Sequence, residues 1–160
     1  MTNQEAVVFD VTESGSDFRL VMSATLPNLD RADEVITQFL SDRSISVDLF
    51  EFRILIRESM LNAVLHGAEK DPEKSVSVDV RIQESYLELV VTDPGPGFDW
   101  RNKDFDYDEL DTVGGRGCAL MQEFAQSMEY NDAGNQLRLT KTYELIGGTE
   151  HPVESLDSQP

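Results

Sequence analysis

Three groups of residues in this sequence combine side-chain type and spacing in ways that could do chemistry. Glu58 and Asn62 stand four apart in a run with helical hydrophobic spacing. At about 100° per residue they project on the same side, one turn apart, with Glu51 two turns before Glu58. Their neighbours Ile54, Leu55, Leu61 and Leu65 are apolar. A carboxylate and an amide inside an apolar stripe need a hydrogen-bond partner, a ligand or a metal, because an unpaired buried polar group costs about 1–3 kcal/mol. A polar helix edge that simply meets solvent would show the same spacing.

The second group is Asp93-Pro94-Gly95-Pro96-Gly97-Phe98. Interleaved prolines and glycines make a rigid turn that another group can approach closely, and Asp93 could accept a hydrogen bond from a ligand amine. An ordinary tight turn remains the alternative. The third is Gly114-Gly115-Arg116-Gly117-Cys118-Ala119-Leu120-Met121, a glycine-rich segment opening a helix. Free N–H groups and the helix dipole attract phosphate there, and glycine lets it come close. The segment lacks the G-K-[ST] of a Walker loop and does not follow a strand as a dinucleotide fingerprint would. Asp104, Asp106 and Asp108 suggest a calcium loop, but Glu109 and Gly115 occupy the positions of the required glycine and glutamate, so a solvated acidic loop is expected. Cys118 reads as a small core residue, and His66 as a side chain near helix-end carbonyls unless a ligand claims it.

The secondary structure that holds these groups is read from shifts in hydrophobic period. Residues 5–11 and 17–24 are β-rich runs around Ser14-Gly15-Ser16, which predicts a hairpin. Leu29, Ala32, Val35, Ile36, Phe39 and Leu40 predict a helix to about Arg43, with Asn28 as its cap. A second helix is expected from Val47 to about His66, capped by Ser46 or Asp48 and stopping in a left-handed Gly67. Strict alternation over Ser75–Ile82 and Tyr86–Thr92 predicts a second hairpin. A long aperiodic loop over 93–117 precedes a third helix, from about Arg116 to Met128, and a last strand near Gln136–Glu144. Grouped strands and helices indicate an α+β two-layer sandwich: a mixed, mostly antiparallel sheet with helices on one face.

The 160 residues suit one domain, over about 1–146, long enough to remove about 70% of the unfolded surface from water. Residues 147–160 read as a flexible acidic tail. With 13 Lys+Arg against 31 Asp+Glu the net charge is -18, which speaks against direct nucleic-acid binding and against docking on an anionic membrane. A basic protein partner suits that charge, as does solubility alone. One cysteine and two histidines provide neither a disulfide framework nor a zinc cluster. No signal peptide and no apolar run of membrane-spanning length is visible, so a cytoplasmic protein is expected.

In this order and at these separations, the three groups resemble the GHKL (histidine kinase-like) ATPase superfamily, whose ATP-binding domain has the Bergerat fold. Within it they are most similar to the anti-sigma factor serine/threonine kinases. Glu58-Ser59-Met60-Leu61-Asn62-Ala63 with His66-Gly67 matches the family's N box, Asp93 to Phe98 its first glycine box, and Gly115-Arg116-Gly117 its second. The resemblance spans about residues 20–145. It implies ATP and Mg²⁺ as cofactors, held by Asn62, His66, Asp93, Gly95, Gly97, Gly115, Arg116 and Gly117. In that scheme Asn62 holds the metal, Asp93 binds the adenine amine, Gly97 packs by the base, and residues 98–114 form a lid. Glu58 would be the catalytic base. The implied activity is a partner-switching kinase that binds a sigma factor and phosphorylates an anti-anti-sigma (STAS-type) antagonist, as a homodimer. A non-catalytic module, ATP-binding or nucleotide-free, that sequesters a regulatory partner is the alternative. One departure favours it: Ala119 stands where the family has glycine and would place a methyl group near the phosphates.

Overall fold

The computed structural model describes residues 7–100 and 115–145. Its main sheet has six strands: β1 (Phe9–Ser14), β2 (Asp17–Ser23), β4 (Ser75–Ile82), β5 (Tyr86–Thr92), β6 (Ser127–Tyr130) and β7 (Gln136–Thr142). Their spatial order is β1-β2-β4-β5-β7-β6, and every neighbouring pair is antiparallel. A two-stranded ribbon pairs β3 (Ile45–Ser46) with β8 (Glu144–Leu145). Three helices, α1 (Leu26–Asp42), α2 (Leu49–Asn62) and α3 (Gly115–Phe124), complete a two-layer α+β sandwich.

The period-2 alternation explains the layering. Phe18, Leu20 and Met22 of β2, Val76, Val78 and Val80 of β4, and Leu87, Leu89 and Val91 of β5 are all buried with Ile36 and Phe39 of α1 and Leu55 and Ile56 of α2. The Phe18 and Phe39 rings meet at 5.2 Å, strand against helix. On the opposite face the sheet carries cross-strand ion pairs, Arg19 with Asp79, Arg81 with Asp17 and, from β7 to β5, Arg138 with Glu88. Such pairs suit the register and keep that face solvated.

Helix ends differ from expectation in informative ways. Thr25, not Asn28, caps α1: its hydroxyl accepts the Asn28 N–H at 3.3 Å, and Pro27 falls in the first turn, where its missing N–H costs nothing. The Asn28 amide is buried and donates to the Ser23 carbonyl at 3.0 Å. Asp48 does cap α2, accepting from the Glu51 N–H. The second helix does not run evenly to His66. After Asn62 it widens into a π-helical turn, Ala63–Gly67, closed by an Ala68 N–H to Ala63 carbonyl bond of 2.8 Å. Gly67 is not left-handed; Glu69 and Lys70 turn the chain instead, with φ of 56° and 55°. The third helix ends at Phe124, and Ser127–Tyr130 pairs with β7 where helix was expected to Met128. Hydrogen bonding at the open edge of β7 outweighs helical propensity in that segment. The acidic Asp104–Asp108 run, most of the expected lid and the 147–160 tail lie outside the described residues.

Candidate functional site

A cavity of about 290 Å³ opens between α2, its π turn, and the strand ends of β5, β6 and β7. Asn62 and His66 enter from the helix, Asp93 and Gly97 from the turn after β5, and Ala63, Val91 and Leu137 supply apolar wall. The π turn matters to this placement. Inserting one residue into the hydrogen-bond cycle rotates the side chains beyond it, and His66 and Gly67 meet the cavity one turn after Asn62.

Gly67 is glycine for reasons of space: a Cβ there would run into the Asp93 carboxyl group. Gly95 is similarly confined, since its Cβ would stand 2.6 Å from the Gly67 carbonyl oxygen. Its N–H donates to Asp93 Oδ1 at 2.8 Å. No donor meets Asp93 Oδ2 among the described residues. Burial pushes the Asp93 carboxyl above the ordinary aspartate range, and the Gly95 N–H works against that by stabilising the charged form. Asp93 thus lines the cavity as a half-buried carboxyl group whose Oδ1 is held by the Gly95 N–H. Gly97 has φ +81° and lies against the Ala133 carbonyl, so both conformation and space demand glycine there.

The residues flagged in the sequence divide unevenly around this cavity. Asn62, His66, Asp93 and Gly97 line it, and Gly95 supports Asp93 from behind. Glu58 is not on its wall; it lies one turn before Asn62, where its Oε2 is against Gly117 of α3. Gly115 and Arg116 open α3 immediately before that contact. Glu51 does not join the group. It is paired with Lys141, which also donates to the Phe124 carbonyl, so it fastens the start of α2 to the end of α3. The described residues contain no cluster of three or more His, Cys, Asp or Glu able to hold a metal.

Sequence reasoning missed part of the wall. Cys118 is buried, as expected, but it also faces the cavity. Tyr130, Gly134, Asn135 and Gln136 line it from β6, β7 and the turn between them. Burial of the Tyr130 hydroxyl, with Cys118 beside it, raises its pKa well above the usual tyrosine range. The signal for these residues was Asn131-Asp132-Ala133-Gly134-Asn135, a turn-rich run ahead of a strand, which marks a hairpin but not a binding wall.

Comparison with known proteins settles what kind of domain has this arrangement. Residues 22–141 match the histidine kinase-like ATPase domain family. The chain belongs to that family. Its relatives include the anti-sigma F factor of Shouchella clausii (strain KSM-K16), 26% identical over 140 residues that cover 81% of this chain and 83% of that protein. The serine-protein kinase RsbW of Bacillus subtilis (strain 168) is 30% identical over 103 residues, covering 59% and 64% of the two chains. Among solved structures, the histidine kinase domain from the Erythrobacter litoralis EL346 blue-light activated histidine kinase aligns with TM-score 0.45 at 16% identity. That alignment covers 84% of this chain and 66% of the other.

Membership in a family of ATPase domains implies an ATP site, and the cavity of this family member fits one. Asp93 offers an acceptor in a partly apolar recess of a size suited to a base. The Asn62 amide and the His66 ring line its wall, without hydrogen-bond partners among the described residues.

Proposed function

We propose that this histidine kinase-like domain is an ATP- and Mg²⁺-dependent serine/threonine kinase of the anti-sigma type. It would bind a sigma factor in one state and phosphorylate a STAS-type antagonist in another, as a cytoplasmic homodimer. Two kinds of support converge on this reading. The relatives carry the names anti-sigma F factor and serine-protein kinase. The observation that carries the chemistry is the placement of Glu58: its carboxylate abuts Gly117 in the first turn of α3, one helical turn from Asn62 on the cavity wall.

The roles are those the family resemblance implies, and the residues' surroundings support them. Asp93 Oδ2 would accept the exocyclic amine of adenine, with Val91, Ala63 and Leu137 against the base. Backbone N–H groups of Gly115, Arg116 and Gly117 at the start of α3 would receive phosphate oxygens. The Asn62 side-chain oxygen would hold Mg²⁺, with His66 beside the nucleotide. Bound Mg²⁺ would supply charge neutralisation at the phosphates. Glu58 would take the proton from the attacking hydroxyl, and at the α3 N-terminus its carboxylate would meet the incoming nucleophile next to the phosphate donors. Phosphoryl transfer asks chiefly for such positioning and electrostatics.

The departure at Ala119 bears on whether the domain is catalytic. Ala119 is 3% exposed and does not line the cavity. The relatives' name serine-protein kinase is what favours the kinase over a sequestering module without chemistry. No helix among the described residues is long and apolar enough to cross a membrane. The test is transfer of labelled γ-phosphate to the antagonist. Glu58→Ala should abolish transfer and leave ATP binding intact; full transfer by that variant removes Glu58 as the base. Calorimetry with ATP and Mg²⁺ separates the alternatives one step earlier, since a wild-type protein that binds no ATP is no kinase. A pull-down from native lysate with and without ATP identifies the partner.

A further inference from the structure

We propose that the turn between β6 and β7 is the template that sets the Asp93–Phe98 turn for base recognition, with Asn131 and Asn135 as positioning residues. This rests on the assignment of Asp93 to the adenine amine. Asn131 folds the β6–β7 turn around its own side chain: Oδ1 accepts the N–H groups of Gly134 at 2.8 Å, Asn135 at 3.0 Å and Gln136 at 3.2 Å. Its Nδ2 donates to Asn135 Oδ1 at 2.8 Å and so fixes the second amide. Asn135 then grips the opposing turn at both ends of the segment that shapes Asp93. The Asn135 carbonyl accepts the Asp93 N–H at 3.0 Å, and Asn135 Nδ2 donates to the Gly95 carbonyl at 3.1 Å.

Gly95 is the residue whose N–H holds Asp93 Oδ1 and whose carbonyl Asn135 holds, so Asn135 acts on the acceptor through a single residue. The two turns also meet backbone to backbone. A Cβ on Gly97 would collide with the Ala133 carbonyl, and one on Gly134 with the Phe98 carbonyl. A carboxylate on a Pro-Gly turn discriminates between bases only if its free oxygen has a fixed direction, because a mobile acceptor can follow any donor. Linked amides supply that direction, each side chain here using both its donor and its acceptor.

The experiment compares ATP, purine riboside triphosphate, which lacks the exocyclic amine, and inorganic tripolyphosphate, by calorimetry on the full chain. Asn135→Ala removes the bond to the Gly95 carbonyl while leaving the three N–H bonds that close the turn on Asn131. It should raise the Kd for ATP about five- to tenfold and shrink the preference for ATP over purine riboside triphosphate by the same factor. Tripolyphosphate affinity and melting temperature should stay unchanged. Asn131→Asp is the second variant: it keeps the acceptor for the three N–H groups, loses the donor to Asn135, and should show the same pattern. It decides the matter if Asn135→Ala fails to fold. Unchanged ATP affinity in the variants, or an equal loss for all three ligands, overturns the positioning role and leaves an ordinary hairpin turn. A wild type that binds ATP and purine riboside triphosphate equally well overturns the assignment of Asp93 itself, and the positioning role with it.

Discussion

Gly117 packs so closely against Glu58 that a Cβ added to the glycine would collide with Glu58 Oε2 and stand 3.4 Å from its Cδ. The contact joins the start of α3 to the middle of α2, and it places a carboxylate at the helix terminus proposed above to receive phosphate. Glycine in a helix is normally a cost of about 1 kcal/mol relative to alanine. Its presence here is explained by the carboxylate it leaves room for.

Gly117→Ala is therefore expected to separate stability from activity. The clash involves the far end of a flexible side chain, which can swing aside, so the melting temperature should hold or rise slightly with improved helix propensity. On the proposed role of Glu58 as the base, phosphate transfer should fall at least about tenfold, equivalent to about 1.4 kcal/mol of lost transition-state stabilisation, because the carboxylate is displaced. Thermal melts and transfer of labelled γ-phosphate, measured side by side, check both parts.

Asp93→Asn should stabilise the free protein and weaken its binding of ATP. Burial raises the Asp93 pKa in the folded state, so the folded protein holds the proton more tightly than the unfolded chain. The contribution to stability is then present below the unfolded value and is lost as pH rises through the folded one. At neutral pH the ionised carboxylate is a burden that the amide removes. The gain in melting temperature should be visible at pH 7 and vanish in acid, below the ordinary aspartate range. The Kd for ATP should rise about tenfold or more, as expected when a hydrogen bond to a charged acceptor is lost. Wild-type ATP binding should itself weaken on acidification, starting above the pH at which an ordinary aspartate would protonate.

Arg53→Ala should loosen the helical layer. Asp33 on α1 is 2% exposed and is held by Arg53 of α2 through bonds of 3.2, 3.2 and 2.7 Å. Asp30 is paired with Arg57 one turn away. Removing Arg53 leaves a buried carboxylate with only the longer, 3.7 Å approach of Arg57, and a loss of about 2 kcal/mol is expected. Urea denaturation measures it. Arg53→Lys should restore only part, because an ammonium cannot reproduce the forked contact.

Partner capture should weaken as salt is raised from about 0.05 to 0.3 M, where the Debye length shortens to below about 10 Å. The motive is the net charge of -18, which no feature of the cavity requires. Association rates measured by surface plasmon resonance across that range should fall more than dissociation rates rise, the pattern of electrostatic steering. Rates indifferent to salt would return the acid surplus to solubility.

Much of the site was legible because its parts are local. The spacing of Glu58 and Asn62 is a property of one helix, and the Asp93–Phe98 turn is written in consecutive prolines and glycines. The alternation of Val76, Val78 and Val80 identifies a strand whatever it pairs with. The remainder depended on contacts between distant segments. Glu51 has the helical phase of a site residue, yet Lys141, ninety residues away, draws it into a structural pair. Ser127 and Met128 fall at the end of the helix expected from the sequence, yet with Glu129 and Tyr130 they form a strand on the edge of β7.

Residue order alone established the α+β layering, the acid surplus and three motifs in sequence, since periodicity and turn chemistry act over a few residues. The folded molecule decided why the glycines are needed and what orients the carboxylate. Gly67 is required by the Asp93 side chain and Gly117 by Glu58, neither of them a chain neighbour. The bond from Asn135 to Gly95 closes a separation of forty residues. Short-range preferences carry no information about such approaches, because which backbone comes within about 3 Å of which side chain is set by how the sheet and helices pack.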